Sequence, residues 1–296
     1  MSKFYGCMQV VVMACGLMML LTPALSGAIT PEELDKIEWA MPTWAPAQPA
    51  RPRTLLVINR AEGFVHKSIP YWDKALEIMG KKTGAFTVSV QGDLSALSDT
   101  GLNAFDAICF NNTTHLKPNE KQRAALMRFI RGGKGIVGIH AGCDNFNEWP
   151  EGMHLMGNRF SGHPWGAGGT WSVKVDDPTH ALTRPFVHRT FTIKDEIYRV
   201  TLPYYGRDKM RVLLSLDMSD PATKGAKGVK PSDADTGISW VKRVGQGRLF
   251  YSCLGHNTHI TWNKPVLEHY LAGIQFALGD LSVETEPSVP AESERP

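Results

Sequence analysis

The sequence GIVGIHAGCDN, residues 135–145, runs from an apolar, strand-like segment into a turn that is flanked by glycines. Its centre, Gly138-Ile139-His140-Ala141-Gly142, has the G-x-Nu-x-G pattern of a nucleophile elbow. An elbow is a sharp strand-to-helix turn that presents one side chain at the top of a parallel sheet. Serine or cysteine normally occupies that position, but in this chain it is histidine. The segment therefore predicts an α/β fold with an imidazole at the elbow.

Apolar strands alternate with amphipathic helices on both sides of this segment. Such alternation is typical of a parallel sheet whose two faces are covered by helices. The predicted strands lie at 53–60, 85–91, 107–112, 135–140, 170–175, 191–200, 211–217, 237–244 and 247–256, and the longer helices at 69–82, 118–131 and 265–278. The predicted fold class is α/β, with a mainly parallel central sheet and extra β-strands in the C-terminal half.

Four segments make up the predicted domain organisation. Lys3, an apolar run over 8–21 and the small residues ALSGA indicate a signal peptide over 1–28, so we expect an exported protein, periplasmic or secreted. An uncleaved anchor is the alternative. Residues 29–52, rich in Pro, Ala and Trp without periodicity, predict an extended N-terminal arm. One domain is expected over 53–279, followed by a polar, disordered tail over 280–296.

Charge and cysteine content exclude several classes of partner and fold. The net charge is only +3 over 296 residues, so we expect no nucleic-acid partner and no membrane contact beyond export. Outside the leader there are three cysteines, Cys109, Cys143 and Cys253. This odd number, with two of the cysteines in apolar runs, predicts buried packing residues rather than a disulfide framework.

Polar side chains end several of the predicted strands. Ligands of parallel α/β sheets bind beyond the carboxyl ends of the strands, so these positions are the candidates for a site. We expect function from His140 and His256 in particular, because both end apolar strands at the same predicted edge. The other candidates are His66 after the first strand, Asn112 after the third, His163 in a glycine-rich loop, and Asp195 and Glu196 beside the strand at 191–200.

Six ordered segments resemble the motifs of the ThuA-like (trehalose utilisation) family. They are AEGFVHKSIP (61–70), FNNTT (110–114), GGKGIVGIHAGCDN (132–145), RFSGHP (159–164), KDEIY (194–198) and GRLFYSCLGH (247–256). The resemblance covers roughly residues 53–279 and implies a flavodoxin-like, class I glutamine amidotransferase-like fold. In amidotransferases the elbow residue is a nucleophilic cysteine and a histidine follows a late strand; here these positions are His140 and His256. Without the thiol, amidotransferase chemistry is not expected.

An imidazole at the elbow suits metal binding or general-base catalysis. If they converge, His66, His140, Glu196 and His256 supply the ligands that a divalent metal prefers, with zinc as the first choice. The alternative is a cluster without metal, in which His140 is the base and Glu196 orients it. The candidate ligands are scattered along the chain, so their spacing does not decide between the two. We expect no nucleotide cofactor.

The resemblance also implies a carbohydrate substrate and a functional link to a sugar oxidoreductase. The predicted function that the resemblance implies is a glycoside-cleaving hydrolase or lyase that acts on an oxidised (3-keto) glycoside. A 3-keto group acidifies the neighbouring C2–H, so a base can start such a reaction. The predicted catalytic residues are His140, Glu196 and His256. The predicted substrate contacts are Asn112, Trp149, His163, Asp195 and Tyr198. His163 and Asp195 could instead orient or replace a ligand, and Trp165 is a further stacking candidate. The alternatives are a non-catalytic sugar-binding module and a scaffold with an inactive site.

Overall fold

The computed structural model describes Met1 and residues 28–288 of the chain. Residues 2–27, on which the predicted signal peptide falls, and residues 289–296, at the end of the predicted tail, lie outside the described residues. Within the part that the structure describes, no helix is both long and apolar enough to cross a membrane.

A single nine-stranded sheet forms the centre of the described fold. Its strands are β1 (Thr54–Ile58), β2 (Thr87–Gln91), β3 (Ala107–Asn111), β4 (Gly135–Ile139), β5 (Trp171–Val175), β6 (Thr190–Ile193), β7 (Arg211–Leu216), β8 (Gly237–Val244) and β9 (Gly247–Ser252). Their order is β2-β1-β3-β4-β9-β8-β7-β5-β6. The first five strands in this order pair in parallel, and the others pair antiparallel. The mixed α/β fold with additional C-terminal strands is therefore confirmed.

The order of the parallel strands places a switch point beside β1. From β1 the chain first adds β2 on one side and then crosses over to add β3 on the other. Ligands of open α/β sheets bind at such a point, beyond the carboxyl ends of the strands. The carboxyl ends of β1, β3, β4 and β9 all lie on this edge, because these strands are parallel neighbours.

Seven α-helices of the described residues surround the sheet. They are α1 (Pro31–Ala40), α2 (Ile69–Thr83), α3 (Asp99–Leu102), α4 (Glu120–Arg131), α5 (Pro150–Met156), α6 (Pro221–Lys224) and α7 (Lys264–Leu278). Every residue of β3 and of β4 is buried, which requires cover on both faces of the sheet. Cys109, Cys143 and Cys253 are buried and free, in agreement with a packing role.

Helix α1 corrects the prediction of an extended arm over 29–52. The Thr30 hydroxyl accepts from the Glu33 N–H, the Glu33 carboxylate accepts from the Thr30 N–H, and Pro31 stands in the first turn. This reciprocal capping box satisfies backbone groups that a helix start otherwise leaves unpaired, so a helix forms without a strong apolar period. Ile37 and Ala40 then bury its inner face.

Strand β6 is shorter than the predicted strand over 191–200, and it ends at Ile193. The next residues leave the sheet because the Asp195 carboxylate accepts hydrogen bonds from the backbone N–H groups of Gly255 and Asn257. Pairing resumes only as an isolated bridge between Trp165 and Ile197. This early exit frees the following segment to reach the carboxyl edge of the parallel strands.

The first part of the predicted disordered tail lies against the domain. The Ser288 hydroxyl accepts from the Val212 N–H of β7 at 2.9 Å. Nearby, His180 Nε2 lies 3.0 Å from the Glu284 carbonyl oxygen. These contacts tie residues 280–288 to the antiparallel half of the sheet.

Candidate functional site

The predicted elbow is present at the end of β4. His140 has φ of +44°, in the left-handed region, and it opens a 3-10 helix over His140–Asp144 rather than an α-helix. A Cβ at Gly138 would lie 2.7 Å from the Tyr251 ring, and a Cβ at Gly142 would lie 2.9 Å from the Phe110 carbonyl oxygen. Both glycines are therefore sterically required. A left-handed non-glycine residue costs roughly 1–3 kcal/mol, and such strain gathers at functional sites.

The His140 ring is completely buried, and its orientation is fixed from one side. Its Nδ1 lies 2.7 Å from the Cys253 carbonyl oxygen, directly after β9. A carbonyl can only accept, so Nδ1 carries a proton and Nε2 is the ring nitrogen left to face the cluster. Nε2 lies 3.2 Å from His256 Nδ1 and 3.6 Å from Glu196 Oε1. The elbow thus presents a nitrogen that is able to bind a metal or a proton.

Four side chains predicted as ligands converge on one point. His66, His140, Glu196 and His256 each offer a ligand atom, and these atoms all lie within 4.8 Å of one another. His66 comes from the loop after β1, His140 from the turn directly after β4, Glu196 from the loop after β6 and His256 from the loop after β9. Three of them are buried, while the His256 side chain is 20% exposed. The cluster therefore opens towards solvent on the His256 side.

Burial and mutual contact set the charges of the cluster. Burial lowers the pKa of His66 to about 2, with His140 and His256 adding to the effect, so His66 is neutral. Burial opposes ionisation of Glu196, but hydrogen bonds and charge from His140 and His256 lower the pKa of Glu196 below its usual range. In turn, although burial opposes it, the Glu196 carboxylate raises the pKa of His256. One anion among imidazoles is a donor set that suits a divalent cation.

One nitrogen of the cluster lacks a partner. His66 Nδ1 is buried and has no hydrogen-bond partner among the described residues, while its Nε2 lies 3.4 Å from the Tyr198 hydroxyl. A buried polar atom without a partner costs roughly 1–3 kcal/mol, so native structures rarely leave one unless water or an ion completes it. The vacant bonding capacity of His66 therefore fits a metal or a bound water in the cluster.

Asp195 orients the loop that carries His256. It is fully buried, and its two carboxylate oxygens accept from the N–H groups of Gly255, at 2.6 Å, and Asn257, at 2.8 Å. These bonds bracket His256. Burial raises the pKa of Asp195, although the two N–H donors oppose that effect. Because its oxygens are engaged with backbone, Asp195 fits the predicted orienting role and not direct substrate contact.

His163 and Tyr198 lie beside the cluster. His163 Nδ1 lies 3.2 Å from Glu196 Oε2, and the His163 side chain is half exposed. Tyr198 lies with its ring centroid 4.4 Å from that of His140. Burial raises the pKa of the Tyr198 phenol, so its hydroxyl stays protonated. Both side chains lie beside the cluster, and their contact with a substrate stays a prediction.

The structure does not bring every predicted contact residue to the cluster. Trp149 packs against Phe146, with the Arg123 guanidinium over its ring. Trp165 is completely buried and donates to the Thr223 carbonyl. Asn112 lies beside the elbow, since its N–H donates to the Ile139 carbonyl, but its buried side-chain amide donates to Asn111. The two tryptophans are core residues, and the prediction that they stack on a sugar is not supported by these positions.

The sequence analysis missed one aromatic residue at the rim, Phe64. Its ring centroid lies 4.8 Å from that of His66 and 6.4 Å from that of His256, and it is nearly parallel to His256. Phe64 is 66% exposed. The available signal was a pair of apolar residues, Phe64-Val65, in a loop beyond β1 and directly before a candidate ligand.

Comparison with known proteins agrees with the fold. The family profile described as ThuA, trehalose utilisation, matches residues 54–277. A ThuA-like protein from Bacteroides uniformis ATCC 8492 is 20% identical, with a TM-score of 0.62 over 78% of this chain and 94% of that one. A ThuA-like protein from Parabacteroides merdae ATCC 43184 is 17% identical, with a TM-score of 0.58 over 78% and 92%. No curated protein sequence matches. At these identities the structural likeness establishes the fold alone.

Proposed function

Because the chain belongs to the ThuA family, trehalose utilisation, we propose that it cleaves an oxidised (3-keto) glycoside at the cluster of His66, His140, Glu196 and His256. The observation that carries the proposal is the convergence of four ligand atoms within 4.8 Å at a strained elbow. Buried titratable groups with shifted pKa values cost stability, and they gather where chemistry needs them. A module that only binds sugar hydroxyls has no need of such a cluster.

A divalent metal, with zinc as the first choice, fits the cluster. Two observations support the fit: the donor set is three imidazoles and a carboxylate, and His66 Nδ1 is buried without a partner in the described structure. When bound, such a metal acts as a Lewis acid on a carbonyl oxygen and lowers the pKa of a bound water. His66, His140, Glu196 and His256 would hold it.

His163 is placed to move the proton. Its Nδ1 faces Glu196 Oε2 at 3.2 Å, so the carboxylate holds the Nδ1 proton and Nε2 remains free as a base. In the proposed reaction His163 Nε2 takes the C2 proton, the electron pair of that C–H bond forms the C1–C2 double bond, and the C1–O bond breaks. The leaving oxygen takes a proton back from His163. The products are an unsaturated keto sugar and the free second sugar; addition of water to the former completes hydrolysis.

The setting of this reaction is also a proposal. The leader over 1–28 supports export, to the periplasm or the exterior. The need for a 3-keto group implies that a sugar oxidoreductase supplies the substrate. The parallel order β2-β1-β3-β4-β9 supports a flavodoxin-like, amidotransferase-like assignment for the domain over 53–279, without the amidotransferase thiol.

The proposal is tested by incubating the chain with 3-keto-trehalose and measuring the glucose that is released. We expect turnover of the keto sugar and none of trehalose, whose C2 proton is too weakly acidic for an imidazole to remove. His163→Ala should keep its metal and lose turnover, whereas exposed His188→Ala should behave as wild type. Binding of the keto sugar without turnover would reject the enzyme and favour the sugar-binding module.

A further inference from the structure

The rim of the cluster carries an aromatic side chain that the fold leaves uncovered. Phe64 is 66% exposed, and its neighbour Val65 is equally exposed. Singly exposed apolar residues are common on protein surfaces, so exposure alone assigns no role. The position beside His66 and His256 distinguishes Phe64 from scattered surface apolar residues.

Hydrogen bonds fix the backbone at Phe64, although the Phe64 ring is exposed to solvent. Thr114, after β3, accepts from the Gly63 N–H at its hydroxyl oxygen and donates that hydroxyl to the Phe64 carbonyl, both at 3.1 Å. The Thr114 carbonyl accepts from the Glu62 N–H at 2.9 Å. The ring is therefore presented by an anchored segment rather than by a loose loop, which lowers the entropy lost when a ligand covers it.

The ring of Phe64 remains largely exposed although it lies beside two histidines of the cluster. Phe64 meets His66 edge to face, at an interplanar angle of 79°, and lies within 15° of parallel to His256. A second aromatic ring, Phe160, packs on Tyr198 and stacks with His163. A ligand that reaches His163 and the cluster therefore meets aromatic as well as polar side chains.

We propose that Phe64 is the stacking platform for a pyranose ring bound at the cluster, an inference that rests on the proposed function. Pyranose rings present a face of C–H groups, and the negative face of an aromatic ring attracts such C–H groups while their apolar area is buried. Hydroxyl groups at the ring edge remain free for the polar side chains. Phe64 therefore selects ring-closed saccharides over open-chain polyols.

Saccharide affinity measured by calorimetry on the full chain tests this role, with 3-keto-trehalose and trehalose as probes. We expect Phe64→Ala to weaken binding about tenfold or more, because a lost aromatic contact of this kind is worth on the order of one factor of ten. Phe64→Trp should retain affinity. Val65→Ala is the matched control, since it removes equally exposed apolar surface from the same loop, and it should bind as wild type.

The outcomes separate this inference from the proposed function. If the wild type turns over the keto sugar and Phe64→Ala binds saccharide as tightly as the wild type, Phe64 is not a stacking platform, although the proposed enzyme activity is supported. Binding without turnover, weakened by Phe64→Ala, would reject the enzyme and support the platform. An altered oligomeric state of Phe64→Ala in sedimentation, with affinity unchanged, would show that the ring covers a protein contact and overturn the platform. A wild-type chain that binds neither saccharide would overturn both.

Discussion

Replacing Asp195 with asparagine should loosen the loop that carries His256. The two carboxylate oxygens of Asp195 accept one backbone N–H each, from Gly255 and Asn257. An amide has a single oxygen, so Asp195→Asn leaves one of these buried N–H groups facing an NH₂ group. One of the two hydrogen bonds that flank His256 is then lost.

The magnitude follows from two opposing effects. A hydrogen bond to a charged acceptor contributes roughly 1.5–3 kcal/mol, and an unsatisfied buried N–H costs roughly 1–3 kcal/mol. Against this, burial raises the pKa of Asp195, so asparagine avoids part of the desolvation cost of the carboxylate. We expect a net loss of about 2 kcal/mol in the free energy of unfolding, and a fall in zinc affinity of about 10- to 100-fold, as is usual when a residue that orients a ligand is changed.

Urea unfolding and zinc competition against a chromophoric chelator measure the two effects. Asp99→Asn is the control, because Asp99 forms an exposed ion pair with Arg128 far along the chain from the site, and it should change neither quantity. If Asp195→Asn unfolds at the same urea concentration as wild type and binds zinc equally tightly, the orienting role of Asp195 is refuted.

Two further predictions concern stability. Burial lowers the pKa of His269 to about 4 from 6.5, so below pH 6.5 the unfolded chain binds a proton that the folded chain does not. The free energy of unfolding therefore falls by up to about 3 kcal/mol as the pH falls from about 6.5 to about 4. In urea unfolding, the stability of His269→Gln should depend less on pH than that of the wild type. The same pH dependence in both proteins would contradict this prediction. Gly255 has φ of +147°, and a Cβ there would lie 2.9 Å from Trp72 Nε1. Gly255→Ala should therefore lower the free energy of unfolding by about 3 kcal/mol. If Gly255→Ala melts at the same temperature as the wild type, the described loop conformation is wrong.

The candidate site was largely predictable because its members stand at the ends of strands. His140 and His256 follow apolar strands, and parallel neighbours bring their carboxyl ends to one edge whatever the details of packing. The glycines on either side of His140 likewise predict the elbow. Position along a strand is a local property that sequence carries directly.

What sequence did not predict depends on side-chain direction and distant partners. Strand β6 stops early because Asp195 is held by backbone groups about sixty residues further along the chain, a pairing that no periodicity reveals. Trp149 and Phe64 are both large apolar residues in loops, yet Phe146 and Arg123 bury the first while the second stays bare. Helix α1, in contrast, has a local signal in the sequence, because the spacing of Thr30 and Glu33 is that of a capping box.

The metal content of the purified chain, with and without exhaustive chelation, tests the central claim most directly. His140→Asn is the matched variant, because asparagine tolerates the left-handed backbone of His140 and its amide can still donate to the Cys253 carbonyl. The account predicts one divalent ion per wild-type chain, no ion in His140→Asn, and loss of turnover in both the variant and the chelated wild type. Full turnover of 3-keto-trehalose by a wild-type chain stripped of metal would contradict it, and would leave an imidazole-base mechanism without metal.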